Sequence, residues 1–493
     1  MWPDSTRGWA RGDARGNNVA KKYDCIVIGT GCGGAAAAAL AAHRGYKTLV
    51  LEKNNFVGGR CATHEIRGFM MDHGHMIARG SKGPHGQVLR RVGCGDLIPP
   101  FASANNMPQK MEGLDCSWDI PADTWKKILP IDMLKRFWSI GFTFKEWTEF
   151  IRLILKIATM SEDKLRELDK VTVDDFLARY TTNICILTMF GAASAVSFGS
   201  LPHEASAGEL LRTWRTSMKE NSAGYPVNGE GASAIPKSFL RAAERYGAKV
   251  KMSTPVDRIV VKNKSVQGVE AGGEFIAADR VISNSGVRET VLNLVGAGHF
   301  DQKLVDRVLS YQYSYGGISL KYALDKPIIE WCQAYKVPHN FVRNMRDAFE
   351  GRVPEHTSMM LVSTSNIDPR LAPEGKQNLL VIAPGPVAEP GQIRWKPWVE
   401  HLKSEVEAFV PGIRKHTMFC IASTPDVIAK ENNRTFGDAV GVAQTISQVG
   451  ENAPQAILPI RGLYNVGADV GSSGIATEMA TQSAMDLFDA MPD

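Results

Sequence analysis

A glycine cluster near the N-terminus has the spacing that binds a dinucleotide. The sequence runs from the apolar stretch YDCIVI through GTGCGG and into an alanine-rich stretch. This order predicts a strand, a tight turn and a helix, with the phosphates at the positive end of the helix dipole. Gly29 permits the turn, Gly31 lets the backbone approach a pyrophosphate, and Gly34 lets the helix pack closely on the strand. We assign the whole turn to this site: Gly29, Gly31, Cys32, Gly33 and Gly34.

An acidic residue follows at the distance that a ribose contact requires. The stretch KTLVLEK predicts a second strand that ends at Glu52 and Lys53. Glu52 lies about 20 residues beyond the first glycine, where a carboxylate hydrogen-bonds a ribose hydroxyl. A carboxylate here also disfavours a ribose 2′-phosphate, because the two anions would repel each other. The spacing therefore predicts a dinucleotide without that phosphate.

The segment VGGRCAT follows Glu52 within a few residues and identifies the dinucleotide. It resembles the G-G-R-x-x-[ST] motif of the glutathione-reductase-type FAD superfamily, which includes amine oxidases and carotenoid desaturases. The resemblance implies that FAD is the cofactor. In that motif the glycines, here Gly58 and Gly59, let the chain pass close to the cofactor, and Arg60 offers a cationic fork near the pyrophosphate.

Two further segments extend this resemblance through the chain. YPVNGEGASAIP and the stretch ending in SNSG resemble the family's central region, which implies that Val256 lies by the adenine and Asn284 near the cofactor. GLYNVGADVGSSGIATEMA resembles its closing region and implies cofactor contacts for Gly467, Asp469 and Ile475, with Asp469 on the ribityl chain. Among the branches of the superfamily, these segments resemble the phytoene desaturase branch, which also holds carotenoid isomerases and retinol saturases.

MDHGH supplies the candidate catalytic residues. It matches the position of an F-D-x-G segment that lies close to the flavin ring in the family, but here it carries two histidines, His73 and His75. Histidine can move a proton near neutral pH, so either residue could do so beside the flavin. A structural histidine is the alternative.

These segments must be positioned by a discontinuous domain. We predict an α/β fold, with a Rossmann-type FAD-binding domain of parallel sheet and β-meander and a mixed α+β substrate domain. Residues 21–95, 226–300 and 451–493 would form the FAD-binding domain, residues 96–225 and 301–450 the substrate domain, and residues 1–20 a disordered extension. Residues 134–160 predict an amphipathic helix that suits a membrane interface. Packing of that helix on the protein's own core is the alternative.

Composition excludes several other classes. The net charge of +5 on 493 residues and the lack of a dense Lys/Arg run make nucleic acid an unexpected partner. The eight cysteines form no metal-ligand spacing, so we expect no metal and reduced thiols in a cytoplasmic protein, peripheral on the membrane at most.

The resemblance implies an FAD-dependent oxidoreductase that desaturates, saturates or isomerises C–C and C=C bonds of an apolar, isoprenoid or terpenoid substrate. A quinone or oxygen would take the electrons. The alternatives are a flavin amine oxidase, an allylic dehydrogenase or hydroxylase of a cyclic terpene, and a lipid-binding escort of the Rab GDP-dissociation-inhibitor type. The G-G-R segment argues against the escort, and the V-G-A-D ending against the amine oxidase.

Overall fold

The computed structural model describes residues 22–74, 78–113, 116–120, 144–220 and 223–491. The predicted disordered extension, residues 1–20, lies outside the described residues. So do His75 and residues 134–143 of the predicted membrane-contact helix.

The strands of the described residues are, in chain order, β1 Tyr23–Ile28, β2 Thr48–Leu51, β3 Thr63–Ile66, β4 Phe69–Asp72, β5 Ala78–Arg79, β6 Phe101–Ser103, β7 Gln109–Gly113, β8 Cys116–Ile120, β9 Ala223–Pro226, β10 Lys249–Lys251, β11 Val256–Lys262, β12 Ser265–Ala271, β13 Glu274–Ser283, β14 Gly316–Leu324, β15 Gln333–Val337, β16 Met359–Val362, β17 Gln377–Gly385, β18 Thr417–Ser423 and β19 Leu463–Asn465.

The α-helices of the described residues are α1 Cys32–His43, α2 Pro84–Arg91, α3 Phe144–Thr159, α4 Glu162–Leu168, α5 Val173–Leu177, α6 Ile184–Phe198, α7 Ala207–Glu220, α8 Ala234–Arg245, α9 Gln302–Ser310, α10 Phe341–Phe349, α11 Thr364–Ile367, α12 Trp395–Phe409, α13 Ile413–His416, α14 Pro425–Asn432 and α15 Thr477–Ala490.

The first sheet has the order β10-β2-β1-β13-β12-β11, with β19 also paired to β13. Its β1, β2, β10 and β19 pairings are parallel, whereas β11, β12 and the start of β13 form an antiparallel meander. This arrangement confirms the predicted Rossmann-type α/β fold with a β-meander. The strands come from three separate parts of the chain, because β13 returns to pair with β1, and β19 returns to pair with β13, after long excursions.

Helix α1 packs against this sheet because its side chains are small. Residues 32–42 are all buried, and most of them are alanine. Such a helix allows close approach from several sides, and α1 lies against both α8 and α15. The first turn of α1 is therefore held rigidly at the carboxyl end of β1.

The second sheet has the order β18-β14-β17-β16-β15-β7-β8 and is antiparallel except between β15 and β7. Every residue of its interior strand β14 is buried. One face, which includes Leu320 and Val381, packs on Trp398, Leu402 and Val406 of α12. Because side chains alternate along a strand, the residues between these point to the opposite face of the sheet. On strands β14, β15, β16 and β17 that face lines a cavity.

Helix α3 corresponds to the described part of the predicted amphipathic helix. Trp147 is buried, whereas Phe144 and Ile151, which share its apolar face by helical period, are exposed. The core contacts come from Trp147, Leu153 and Ile157. The apolar residues of this helix are distributed around most of its circumference, so helical periodicity alone does not identify the face that packs on the core. None of the helices in the described residues is both long and apolar enough to cross a bilayer.

Candidate cofactor and substrate site

A cavity of about 690 Å³ extends from the glycine turn to the inner face of the second sheet. The predicted cofactor residues that line it are Gly29, Gly31, Cys32, Glu52, Lys53, Gly58, Gly59, Arg60, Val256, Asn284, Gly467, Asp469 and Ile475. Gly33 and Gly34 lie behind the lining, in the first turn of α1. The candidate catalytic residue His73 also lines the cavity, whereas His75 lies outside the described residues.

The glycine turn leaves no room for side chains. Gly29 has a φ of +91°, which L-residues rarely adopt. A Cβ on Gly31 would lie 2.7 Å from Asn284 Nδ2, and one on Gly34 would lie 2.2 Å from the Gly29 carbonyl oxygen. The bare backbone between β1 and α1 therefore forms a narrow cradle at a helix N-terminus, where N–H groups lack partners within the helix.

Glu52 is held at the edge of this cradle by a residue that sequence reasoning missed. Glu52 Oε2 accepts hydrogen bonds from the Thr30 N–H at 2.8 Å and from Thr30 Oγ1 at 2.7 Å. Among the described residues, Oε1 accepts only the Asn54 N–H, at 2.9 Å, and thus keeps a lone pair for a ligand hydroxyl. The neighbouring Lys53 points elsewhere, because its Nζ donates to the Lys430 carbonyl at 2.7 Å.

Arg60 belongs to a buried charge cluster that the sequence did not reveal. Arg60 Nη1 donates to Asp438 Oδ2 at 2.8 Å, and Arg434 donates to both Asp438 and Asp469, at 2.9 and 2.8 Å. Burial disfavours the charged form of Arg434, but these two carboxylates raise its pKa. Glu289 lies beside the cluster, and burial raises the pKa of its carboxyl group.

Asp469 lines the cavity and also belongs to this cluster. Its carboxylate is paired with Arg434 and with the Val287 N–H, and the contact with a ribityl chain that the resemblance implies stays a prediction. Arg434 and Asp438 stand four residues apart after α14, in a segment that we had assigned to the substrate domain. The i, i+4 spacing of opposite charges was the one sequence signal available for them.

Asn284 and Val256 approach the cradle from the first sheet. The Asn284 N–H donates to the Ile28 carbonyl at 3.0 Å, directly beyond β13. Its side chain fills the space beside Gly31 and Gly467. Val256 is the first residue of β11 and lines the cavity at the meander.

His73 sits in the cavity wall beside two charged residues that were not predicted. Its Nδ1 lies 3.3 Å from Glu431 Oε2, while its buried Nε2 has no partner among the described residues. Burial, helped by the positive charge of Lys321, lowers the pKa of His73 to about 3, so the imidazole is neutral. Lys321 lies in the middle of β14 and donates to Ser423 Oγ at 2.7 Å and Ser319 Oγ at 3.3 Å.

These residues fit an FAD molecule in three places. The cradle at the N-terminus of α1 suits the pyrophosphate, and Glu52 Oε1 suits a ribose hydroxyl. Residues 475–478, which include the N-terminus of α15, line the cavity where a helix dipole would favour negative charge on a flavin edge.

Comparison with known proteins gives the same assignment. The sequence profile described as flavin containing amine oxidoreductase matches residues 33–319, more than half of the chain. The chain is 25% identical to a zeta-carotene-forming phytoene desaturase of Myxococcus xanthus, over 90% of this chain and 89% of that protein. It is 22% identical to a 4,4'-diapophytoene desaturase of Staphylococcus haemolyticus, over 94% of this chain and 98% of that protein.

A solved oxidoreductase structure from Methanosarcina mazei shares the fold, with a TM-score of 0.70 at 17% identity, covering 95% of this chain and 100% of the other. The family match and these relatives confirm the predicted FAD cofactor and the predicted enzyme class. The chain therefore belongs to the flavin containing amine oxidoreductase family, as an FAD-dependent oxidoreductase of the phytoene desaturase type.

Proposed function

We propose that this enzyme desaturates an apolar isoprenoid substrate. The observation that carries the proposal is the continuity of one cavity, from the glycine cradle to an apolar row on the second sheet formed by Ile382 and Met360. Val196 of α6 adds to the same apolar lining. Relatives named for the desaturation of carotenoid precursors support the substrate class.

FAD, when bound, takes up the hydride that leaves one substrate carbon. The proton on the neighbouring carbon must leave as the double bond forms, and His73 is placed to receive it. A neutral imidazole with an unpartnered Nε2 can accept a proton, and Glu431 at 3.3 Å from Nδ1 can take the proton onward. Burial of His73 prevents it from holding the proton, which favours onward transfer. A quinone or oxygen serves as the final electron acceptor.

We further propose that helix α3 rests on a membrane surface from the cytoplasmic side. Three of its apolar side chains are exposed, namely Phe144 by 77%, Ile151 by 44% and Leu155 by 58%. Lys145, Arg152 and Lys156 are exposed beside them. Basic residues next to an apolar stripe suit anionic headgroups above an acyl layer, from which an apolar substrate can be collected.

The desaturase proposal is tested by the absorption spectrum of the purified protein. Oxidised flavin absorbs near ~450 nm, and we expect this band to bleach when isoprenoids are added without oxygen. Putrescine and other amines should leave the band unchanged. A protein without flavin, or a flavin that only amines reduce, would overturn the proposal.

A further inference from the structure

The wall of the cavity includes a polar pair, of which one member is buried and the other half-buried. Tyr335 and Gln333 lie two residues apart on β15, so both side chains lie on the same face, and both line the cavity. Gln333 is 3% exposed, and its side-chain amide is hydrogen-bonded to Tyr335 Oη. A cavity built for a pure hydrocarbon gains nothing from such a pair.

The pair is at the far end of a row that crosses the second sheet. Ser319 of β14 is in register with Ile382 of β17, Ile382 with Met360 of β16, and Met360 with Tyr335 of β15. Among the residues of this row that line the cavity, the first and the last, Ser319 and Tyr335, carry hydroxyl groups, and the two between them are apolar. Three strand spacings of about 4.8 Å separate its ends, which places Tyr335 about 14 Å from Ser319.

The Ser319 end of the row is the end beside the chemistry. Ser319 Oγ lies 3.5 Å from the His73 carbonyl oxygen, and His73 is the proposed proton acceptor. A substrate whose reacting bond lies at His73 thus extends over Ile382 and Met360 toward Gln333 and Tyr335.

The hydrogen-bonding capacity of the pair is incomplete. If the Gln333 amide donates to Tyr335 Oη, the phenol hydrogen and the Gln333 carbonyl oxygen have no further partner among the residues that the structure describes. If the amide is turned over, its NH₂ group and a lone pair on Oη remain free. Either arrangement offers a ligand one donor and one acceptor. Burial raises the pKa of Tyr335 to about 12, so the phenol keeps its hydrogen.

We propose that Gln333 and Tyr335 bind a terminal hydroxyl group, so that the preferred substrate is an isoprenoid alcohol and not the corresponding hydrocarbon. This inference rests on the proposed isoprenoid substrate and narrows it. A hydroxyl can use the free donor and the free acceptor together. A methyl group in its place would leave buried polar groups without partners, which costs binding energy.

The test compares geranylgeraniol with the hydrocarbon that carries a methyl group in place of its CH₂OH. Each is titrated from the same detergent micelles into the FAD-loaded protein without oxygen. Tryptophan fluorescence reports binding, and the flavin band reports reduction. The ratio of the two dissociation constants is measured in the wild type and in the double variant Gln333→Leu/Tyr335→Phe. Because both proteins are titrated from the same micelles, comparing the two ratios corrects for unequal partition of the ligands into micelles. Met359→Leu is the matched control, because Met359 lies on the same strand but packs on the opposite face of the sheet, away from the cavity.

We expect the wild-type protein to favour the alcohol by about tenfold or more relative to the double variant. Met359→Leu should keep the wild-type preference. An unchanged ratio in a folded, FAD-loaded double variant would overturn the inference. The two proposals fail separately. If both compounds reduce the flavin and bind with equal affinity, only the hydroxyl site is overturned. If the alcohol binds tightly but no isoprenoid reduces the flavin, only the desaturase proposal is overturned.

Discussion

Tyr225 donates its phenol hydrogen to Asp72 Oδ2 across 153 positions of the sequence. Asp72 is 3% exposed and also accepts hydrogen bonds from Thr63 Oγ1 at 2.6 Å and from the Ala232 N–H at 3.1 Å. Because Asp72 ends β4, the residue directly after it is His73. The Tyr225 hydrogen bond thus helps to fix the backbone that presents His73 to the cavity.

Replacement of Tyr225 by phenylalanine should destabilise the protein by about 1–3 kcal/mol, because it removes one donor from a buried carboxylate. Denaturant unfolding of the FAD-loaded protein measures the change. Tyr246→Phe is the control, since Tyr246 is 40% exposed and donates to the Val92 carbonyl. Equal losses of stability in the two variants would show that the hydrogen bond to Asp72 contributes no more than the one to the Val92 carbonyl.

Replacement of Gly34 by alanine should abolish FAD retention. The added Cβ would lie 2.2 Å from the Gly29 carbonyl oxygen, so α1 must move away from the end of β1. Overpacking of this kind costs about 1–3 kcal/mol or more. The measurement is the ratio of flavin to protein absorbance after purification. Gly298→Ala is the control, because no heavy atom lies within 4 Å of a Cβ there. Full flavin content in Gly34→Ala would contradict the inference that the glycine cradle binds FAD.

Replacement of His73 by glutamine should slow flavin reduction by about 100-fold or more, which is the usual contribution of a general base. The affinity for FAD should stay the same. Rapid-mixing absorbance without oxygen measures the rate. His64→Gln is the control: its ring lies 6.1 Å from that of His73, and it is not part of the cavity wall. Equal rates in wild type and His73→Gln would remove His73 from the reaction.

Lys321→Met should change stability in a pH-dependent way. Burial lowers the pKa of Lys321 from 10.5 to about 8. Between these values the unfolded chain binds the proton and the folded protein does not, so the wild type gains stability as pH rises. Below pH 8 the cost of the buried charge is fully present.

The stability difference between Lys321→Met and wild type should therefore shrink by about 2–3 kcal/mol from pH 7 to pH 10.5, at 1.36 kcal/mol per pKa unit. Denaturant unfolding at a series of pH values measures it. Titrations of groups that do not interact with Lys321 cancel in the difference. The exposed Lys326→Met should give a flat difference, and a flat difference for Lys321 as well would contradict the lowered pKa.

The parts of the site that the sequence predicted are those with fixed local spacing. The glycine turn and Glu52 belong to neighbouring strands, so their distance along the chain determines their geometry. Thr30 lies inside the same turn but was missed, because its role is visible only once its Oγ1 is seen on Glu52. Arg434 and Lys321 come from remote segments, and their importance depends on which buried carboxylates the fold brings to them. The face of α3 that packs on the core could not be predicted for the same reason, since its partners lie on α6 and α7.

The exposed stripe of α3 leads to the last prediction. Leu155→Glu should weaken binding of the protein to vesicles of phosphatidylcholine and phosphatidylserine, because it places a negative charge where an apolar side chain would enter the bilayer. Sedimentation with vesicles measures the bound fraction. Leu309→Glu, on α9, is matched in exposure at 49% against 58% and should leave binding unchanged. Because basic residues flank the stripe, wild-type binding should also fall when phosphatidylserine is omitted. If neither Leu155→Glu nor the loss of phosphatidylserine reduces binding, α3 is not the membrane contact.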